Sequence, residues 1–223
     1  MEMKYPKYEV YEEIYKRYFE KGVNYLIEQA NLDEKDKVLD VCGGNGRLTK
    51  ELKKRVNDVS YLDQEKDMIP EALKELGVTV YNQSIQDFVG ETNNKYNKVF
   101  CEQAINYWLL KIDINKFSNI IEKDGLFIFN TFSKKPTEKP MIKEYEIDEK
   151  SYIEISYLVG KKVEHIQIRE GYEPHFTVFD WISKEEYKEI LSPYFDLKVI
   201  DDGKSALYVC RRKWWIDHLV FII

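Results

Sequence analysis

The hydrophobic positions of the chain follow two different periods. Between Asp36 and Phe132, short β-branched or aromatic runs alternate with longer charged stretches of helical period. The apolar runs predict five strands, at 37–42, 59–62, 78–81, 98–101 and 126–132. The charged stretches predict helices at 48–56, 68–77 and 114–125, the last two ending in glycine as helix C-caps often do. Such an alternation is typical of a parallel sheet with helices on both faces.

After Phe132 the pattern changes to a two-residue alternation, which continues through 142–182. It predicts an antiparallel insertion with a hairpin turn at Gly160-Lys161. A helix then begins at Ser183, where Glu186 completes a capping box. Two closing strands are predicted at 195–200 and 205–212.

We therefore expect a single α/β domain with a doubly wound, mostly parallel, seven-stranded sheet and an antiparallel β insertion before the last helix. Its predicted parts are N-terminal helices at 1–35, a core at 36–132, the insertion at 133–182, the last helix and closing hairpin at 183–212, and a tail at 213–223.

Composition narrows the possible partners. Lysine and arginine total 34 against 40 aspartates and glutamates, and the net charge of −6 argues against a nonspecific nucleic-acid binder. The three cysteines and three histidines lack the spacing of a disulfide framework or a metal site, so no metal is expected. Without a signal peptide or a membrane-spanning run, we expect a cytoplasmic monomer or homodimer that has no membrane partner.

The first predicted strand runs into a helix through a glycine-rich turn that contains Gly43, Gly44 and Gly46. Glycines at such a turn adopt positive φ and let the backbone approach a ligand, toward which the helix N–H groups point. Asp40 lies near the end of this strand, and Asp63 ends the next strand 23 residues later. An acid at that spacing is placed to accept hydrogen bonds from ribose hydroxyls.

Two other interpretations of this turn stay open. A nicotinamide or flavin site requires a third glycine where Thr49 stands, and the short spacing from Asp40 suits a ligand without a pyrophosphate. The turn is also compatible with a doubly wound sheet that binds nothing.

The segment from Asp40 to Gly46 resembles the first motif of the class I S-adenosylmethionine-dependent methyltransferases, an acidic residue followed by glycines at alternate positions. Cys42 replaces the first of these glycines. The resemblance extends over about residues 10–212. It implies a Rossmann-like fold, S-adenosylmethionine as cofactor, and methyl transfer as the activity.

The resemblance also implies roles for particular residues. Asp40 would orient water or the methionyl amino group, Asp63 would hold the ribose hydroxyls, and Gln64 and Met68 would flank the adenine. Ser84 stands where the family usually has an aspartate facing the adenine amino group, which leaves Asp87 as an alternative. The remaining implied cofactor residues are Tyr11, Tyr15, Cys42, Gly43, Gly44, Gly46, Ile85, Glu102 and Gln103; the two tyrosines also fit a buried stripe on a helix.

A small-molecule acceptor is the preferred interpretation of the substrate. Within the family, some branches are marked by a Pro-Pro-Tyr motif, a Pro-Cys nucleophile or clustered acids after the fourth strand, and the chain has none of these. In the branches that act on amines, amino sugars and natural products, an insertion at 133–182 resembles a lid. A methyltransferase acting on RNA or a protein side chain, and an inactive S-adenosylmethionine-binding protein, are the alternatives.

Four residues are candidates for binding the acceptor: Asn106, Tyr107, Asn130 and His175. His175 is also the candidate general base, because it alternates with Thr177 and Phe179 on one face of the last lid strand. The same reasoning assigns His165 to a face with Val163, Gln167 and Arg169. A histidine that simply packs within the lid strand is the alternative for His175.

Overall fold

The computed structural model describes residues 20–147, 149–203 and 205–213, which form eleven strands and six helices. The strands, in chain order, are β1 (Lys37–Val41), β2 (Asp58–Leu62), β3 (Thr79–Tyr81), β4 (Tyr96–Glu102), β5 (Ile121–Phe132), β6 (Met141–Ile147), β7 (Lys150–Val159), β8 (Lys162–Arg169), β9 (His175–Asp180), β10 (Phe195–Asp201) and β11 (Ser205–Arg212). The helices are α1 (Glu20–Glu28), α2 (Arg47–Lys53), α3 (Ala72–Glu75), α4 (Ile85–Glu91), α5 (Ile114–Asn119) and α6 (Lys184–Leu191).

Seven strands form the central sheet in the order β10-β11-β5-β4-β1-β2-β3. The first five strands are parallel, whereas β11 runs antiparallel to both β5 and β10. The predicted doubly wound, mostly parallel seven-stranded sheet is therefore confirmed. The order reverses at β1, and the carboxyl ends of β1, β2 and β4 meet on one edge, where ligands bind in open sheets of this kind.

Apolar side chains cover both faces of the sheet. Successive residues of β1 alternate between the two sides, so that Val38 joins one buried cluster with Leu48 and Ile128, while Leu39 joins the other with Phe117 and Phe127. Burial on both faces explains why these strands are continuous apolar runs.

The predicted insertion forms a second sheet, which we call the lid sheet (β6–β9, Met141–Asp180). Its strands are antiparallel in the order β6-β7-β8-β9, and it lies between β5 and α6 along the chain. The turn at Gly160-Lys161 joins β7 and β8 as predicted, and Gly160 adopts a φ of 64°. The predicted capping box at Ser183 and Glu186 is also present.

The three helices predicted within the core are all shorter than expected, and α2 ends at Lys53 instead of residue 56. The segment 68–77 forms a 3-10 turn at Lys66–Met68 and then the short helix α3, which begins after Pro70. Helix α5 ends at Asn119, so the prediction that Gly125 caps it was wrong. Gly125 lies inside β5, where a Cβ atom would be 2.9 Å from the carbonyl oxygen of Asn97, and it is required by this close approach.

Some sequence features lie outside the described residues. They include Tyr11 and Tyr15 in the N-terminal segment, His218, and most of the tail. Within the described ranges, no helix has both the length and the apolar character needed to cross a bilayer.

Candidate functional site

One cavity lies over the carboxyl ends of β1, β2 and β4 and has a volume of about 320 Å³. That volume falls at the lower end of the roughly 300–1,000 Å³ usual for small-molecule sites. Its lining comes from three parts of the chain: the glycine turn, the segments that follow β2, β3 and β4, and the lid sheet.

The glycine turn is held in place by Asp63, the residue that directly follows β2. One Asp63 carboxylate oxygen accepts a hydrogen bond from the Gly44 N–H and the other from the Glu65 N–H, both at 2.9 Å. Gly44 (φ 51°) and Gly46 (φ 69°) lie in the left-handed region, as does Cys42 (φ 55°). The backbone of the turn thereby lines the cavity next to the Asp63 carboxylate. Burial raises the pKa of Asp63, and the hydrogen bonds from the two N–H donors lower it.

Asp40 lines the same cavity and is almost completely buried. Its carboxylate accepts a hydrogen bond from the Thr49 hydroxyl at 2.5 Å. Burial raises the pKa of Asp40 to about 7, and the Thr49 hydrogen bond partly opposes this rise. A cationic ligand group beside Asp40 would favour the ionised form.

Sequence reasoning missed an ion pair in the cavity wall. The Arg47 guanidinium, in the first turn of α2, donates to the Glu102 carboxylate at 2.5 Å. Glu102 was predicted to contact the cofactor, but its pairing with a residue 55 positions away has no signal in the sequence. Burial nevertheless raises the pKa of Glu102, an effect that Arg47 opposes.

The residues predicted for the adenine lie together on one side of the cavity. Gln64, Met68, Ser84 and Ile85 all line it. The Ser84 hydroxyl caps α4, accepting from the Asp87 N–H at 3.1 Å and donating to the Asp87 carboxylate at 2.6 Å. Ser84 and Asp87 thus act as a pair at this position.

The segment after β4 attaches the lid sheet to the central sheet. The Asn106 side-chain amide donates to the carbonyl of Asp180 at the end of β9, and its oxygen accepts from Thr131 and Tyr187. The Tyr107 ring lies edge-on to Phe179 with centroids 5.4 Å apart.

Two further predicted residues meet beside this segment. The Gln103 N–H, at a left-handed φ of 55°, donates to the Asn130 side chain at 2.8 Å. Gln103, Asn106 and Tyr107 line the cavity, whereas Asn130 lies outside its lining and supports Gln103. The polar atoms of the Asn106 side chain are thus hydrogen-bonded to other residues of the protein. The contacts predicted between the acceptor and Asn106 or Asn130 stay predictions.

The two lid histidines share one face of the lid sheet. His165 lies directly opposite Thr177, and Gln167 lies opposite His175, so the two groups of residues predicted from each strand's own alternation lie on the same face of the lid sheet. Residues opposite each other in an antiparallel pair project to the same side. His165, Gln167, Thr177 and Phe179 line the cavity, whereas His175 is buried outside the lining. The catalytic role predicted for His175 stays a prediction.

Comparisons with known proteins bear on this geometry. A family model described as ribosomal RNA adenine dimethylase matches residues 19–121, which include the glycine turn and Asp63. Among solved structures, an S-adenosylmethionine-dependent methyltransferase from Clostridium acetobutylicum ATCC 824 has a TM-score of 0.74 and 20% identity, covering 92% of this chain and 99% of its own. No curated protein sequence matches the chain.

Two other similar structures are sugar-modifying enzymes. An S-adenosylmethionine-bound amino pentose methyltransferase from Micromonospora echinaspora has a TM-score of 0.74 at 16% identity, covering 96% of this chain and 100% of its own. A sugar N-methyltransferase from Streptoalloteichus sp ATCC 53650 has a TM-score of 0.69 at 12% identity, covering 96% and 95% of the two chains.

The chain has the fold of the class I S-adenosylmethionine-dependent methyltransferases. The matched family model and these structures agree with the motif at residues 40–46. The predicted methyltransferase fold is confirmed. The family model and the similar structures agree with the predicted methyltransferase class and S-adenosylmethionine cofactor, while the acceptor and the roles of individual residues stay predictions.

Proposed function

We propose that this methyltransferase transfers the methyl group of S-adenosylmethionine to a nitrogen or oxygen atom of a small molecule. One observation carries the proposal: the glycine turn and the inner face of the lid sheet line the same cavity. This arrangement supports a donor site and an acceptor site within one cavity.

The residues of the turn fit the cofactor. Asp63 keeps lone pairs on both oxygens that can accept from vicinal ribose hydroxyls, because each oxygen accepts one protein N–H. Asp40 offers a buried carboxylate to the methionyl ammonium. Met68 and Ile85 provide apolar surface beside them for the adenine.

The lid side of the cavity suits a small acceptor that has one polar and one apolar edge. His165, Gln167 and Thr177 present polar atoms, while Tyr107 and Phe179 present rings. The similar structures that modify amino pentoses and other sugars support an acceptor of this size and polarity.

The chemistry required of the protein is mainly positioning. When bound, S-adenosylmethionine supplies a methyl group on a positively charged sulfur. The chain holds donor and acceptor in line and excludes water through the lid sheet, which favours dispersal of charge. Tyr107 lines the cavity, and an aromatic ring there can stabilise a nearby cation through its π-face.

Methylation of RNA is a second candidate, favoured by the family model that matches residues 19–121. The net charge of −6 opposes it, because RNA binding depends on neutralising phosphates.

A radiolabelled methyl-transfer assay separates these candidates. The purified chain would be tested with methyl-labelled S-adenosylmethionine against amino sugars, nucleotide-linked amino sugars and small hydroxylated molecules, in parallel with ribosomal RNA. We expect label in the small-molecule fraction. Label that enters only RNA, or no binding of S-adenosylmethionine by calorimetry, would contradict the proposal.

A lid variant tests where the acceptor binds. Replacing residues 133–182 with a short Gly/Ser linker should keep S-adenosylmethionine binding and abolish methyl transfer. Loss of cofactor binding together with the fold would instead make the insertion a structural element, a possibility raised by the Asn106 hydrogen bond to Asp180.

A further inference from the structure

His165 is the histidine whose position suits proton transfer. It projects from β8 into the cavity lining together with Gln167 and Thr177. We infer that His165 accepts the acceptor's proton at Nε2 and that Ser156 of β7 positions its ring. This inference rests on the proposed function and adds a catalytic residue and a positioning residue to it.

The geometry of the ring distinguishes its two nitrogens. The Nδ1 atom lies 2.7 Å from the Ser156 hydroxyl oxygen, directly across the β7–β8 pairing. Among the described residues, no hydrogen bond engages Nε2. When Nδ1 carries the hydrogen and donates it to Ser156, Nε2 presents a lone pair.

The proton step balances within the protein and the acceptor. As the acceptor nitrogen or oxygen forms its new bond to carbon, its N–H or O–H bond breaks. The electron pair of that bond stays on the acceptor atom, and the proton moves to Nε2 of His165 to give an imidazolium. The imidazolium then releases the proton to water at the cavity mouth, which restores the neutral ring.

The surroundings keep the ring neutral and hence basic at neutral pH. Burial lowers the pKa of His165, Lys143 lowers it further, and Glu154 opposes both. Gln167, the next residue on the same face of β8, donates a hydrogen bond to the Glu154 carboxylate at 3.4 Å. The same carboxylate therefore interacts with both Gln167 and His165. Among the described residues, the titratable and charged groups on this sheet face are Lys143 (β6), Lys150, Tyr152 and Glu154 (β7), Arg169 (β8) and His175 (β9), and Tyr107 packs against it.

His175 serves as the comparison within the same sheet. It lies on the same face, one residue pair further along β8 and β9, opposite Gln167. His175 is 7% exposed and is absent from the cavity lining. A ring in that position reaches an acceptor only if the lid rearranges, whereas His165 lines the cavity in the fold as it stands.

Nitrogen-15 NMR of the imidazole rings tests the inference without an acceptor. The full chain, with S-adenosylhomocysteine added, would be labelled at histidine, and the His165 signals would be identified by their absence from His165→Asn. If that variant fails to fold, the ring signals that move in Ser156→Ala identify His165. We expect a neutral ring at pH 7 with hydrogen on Nδ1. A ring with hydrogen on Nε2, or an imidazolium at pH 7, would overturn the inference.

The kinetic arm uses the small-molecule acceptor found in the radiolabel assay. His165→Asn keeps a donor near the Nδ1 position and removes the base, so turnover should fall by about 10²-fold or more with S-adenosylmethionine affinity unchanged. Ser156→Ala should lower turnover less, shift the tautomer balance toward Nε2–H, and be rescued by Ser156→Thr. Glu164→Gln, on the opposite face of the same strand, is the matched control and should keep wild-type turnover.

The two failures are distinguishable. If the proposed function is wrong, the wild-type chain itself fails to bind the cofactor or to methylate a small molecule. If only the His165 inference is wrong, the wild type methylates its acceptor and His165→Asn does so at the same rate.

Discussion

Replacing Asp63 with alanine is the sharpest test of the cofactor site, because this single side chain both shapes the glycine turn and faces the ligand. Its two oxygens accept from the N–H groups of Gly44 and Glu65 at 2.9 Å each. Alanine removes both of these bonds and the two that we expect from the ribose hydroxyls of the cofactor.

The magnitude follows from those bonds. A hydrogen bond to a charged group contributes roughly 1.5–3 kcal/mol, so the two ribose bonds amount to roughly 3–6 kcal/mol. Because both oxygens already accept protein donors and burial raises the pKa of Asp63, the lower end of this range applies. A loss of about 3 kcal/mol weakens binding about 100-fold, since each 1.4 kcal/mol is a factor of ten. Asp63→Asn, which keeps one acceptor oxygen, should fall between wild type and alanine.

Isothermal titration with S-adenosylmethionine and S-adenosylhomocysteine measures the effect, and circular dichroism shows whether each variant is folded. Asp58→Ala is the matched control, because Asp58 is an exposed acid at the opposite end of the same strand. We expect wild-type affinity in the control and at least tenfold weaker binding in Asp63→Ala. A folded Asp63→Ala protein with unchanged affinity would refute the assignment of the ribose site.

Three further outcomes follow from the same geometry. Cofactor binding between about pH 5 and 7 should release protons, because burial raises the pKa of Asp40 to about 7 and the ammonium group of the cofactor favours the ionised carboxylate. Calorimetry in buffers of different ionisation enthalpy measures this proton release, and Asp40→Asn should remove it. Gly43→Ala should lower the free energy of unfolding by roughly 1–3 kcal/mol, because its Cβ would lie 2.4 Å from the Tyr61 ring; Gly90→Ala, a helical position with open space around it, should not destabilise the protein. Ser183→Ala should cost about 1 kcal/mol in urea unfolding through loss of the α6 cap, and an unchanged midpoint would contradict that role.

The sheet could be predicted because each of its strands carries its own signal. Strands buried on both faces are continuous apolar runs, and Ser183 and Glu186 mark a helix start within four residues. The ends of α3 and α5 were harder to predict. Pro70 interrupts one helix. Gly125 is required inside β5 because a Cβ atom there would lie within 2.9 Å of Ile121, Glu122 and Asn97, and the contact with Asn97 depends on the pairing with β4.

The cofactor half of the site was predictable for a related reason. Asp40 lies near the carboxyl end of β1, the glycines directly follow β1, and Asp63 directly follows the adjacent parallel strand β2. Their meeting therefore follows from the sheet itself. Other contacts of the site join segments that are far apart along the chain, namely the Arg47–Glu102 ion pair and the hydrogen bonds of Asn106. No local sequence pattern predicts them.

The lid side of the cavity could not be predicted from the alternation pattern of single strands. Alternation along one strand establishes which residues share a face, but it does not establish which face of the next strand is the same one. That relation depends on the pairing register: His165 opposite Thr177 places both lid histidines on the inner side, and only the position along the strands separates them. A shift of β9 by two residues in this register would place His175 opposite His165, where Thr177 now lies, without altering either strand's own pattern. Under the proposed function, the β8–β9 pairing decides which lid residues face the acceptor. Substitutions on this face that preserve the pairing should then change acceptor preference while leaving the glycine turn and Asp63 unaltered.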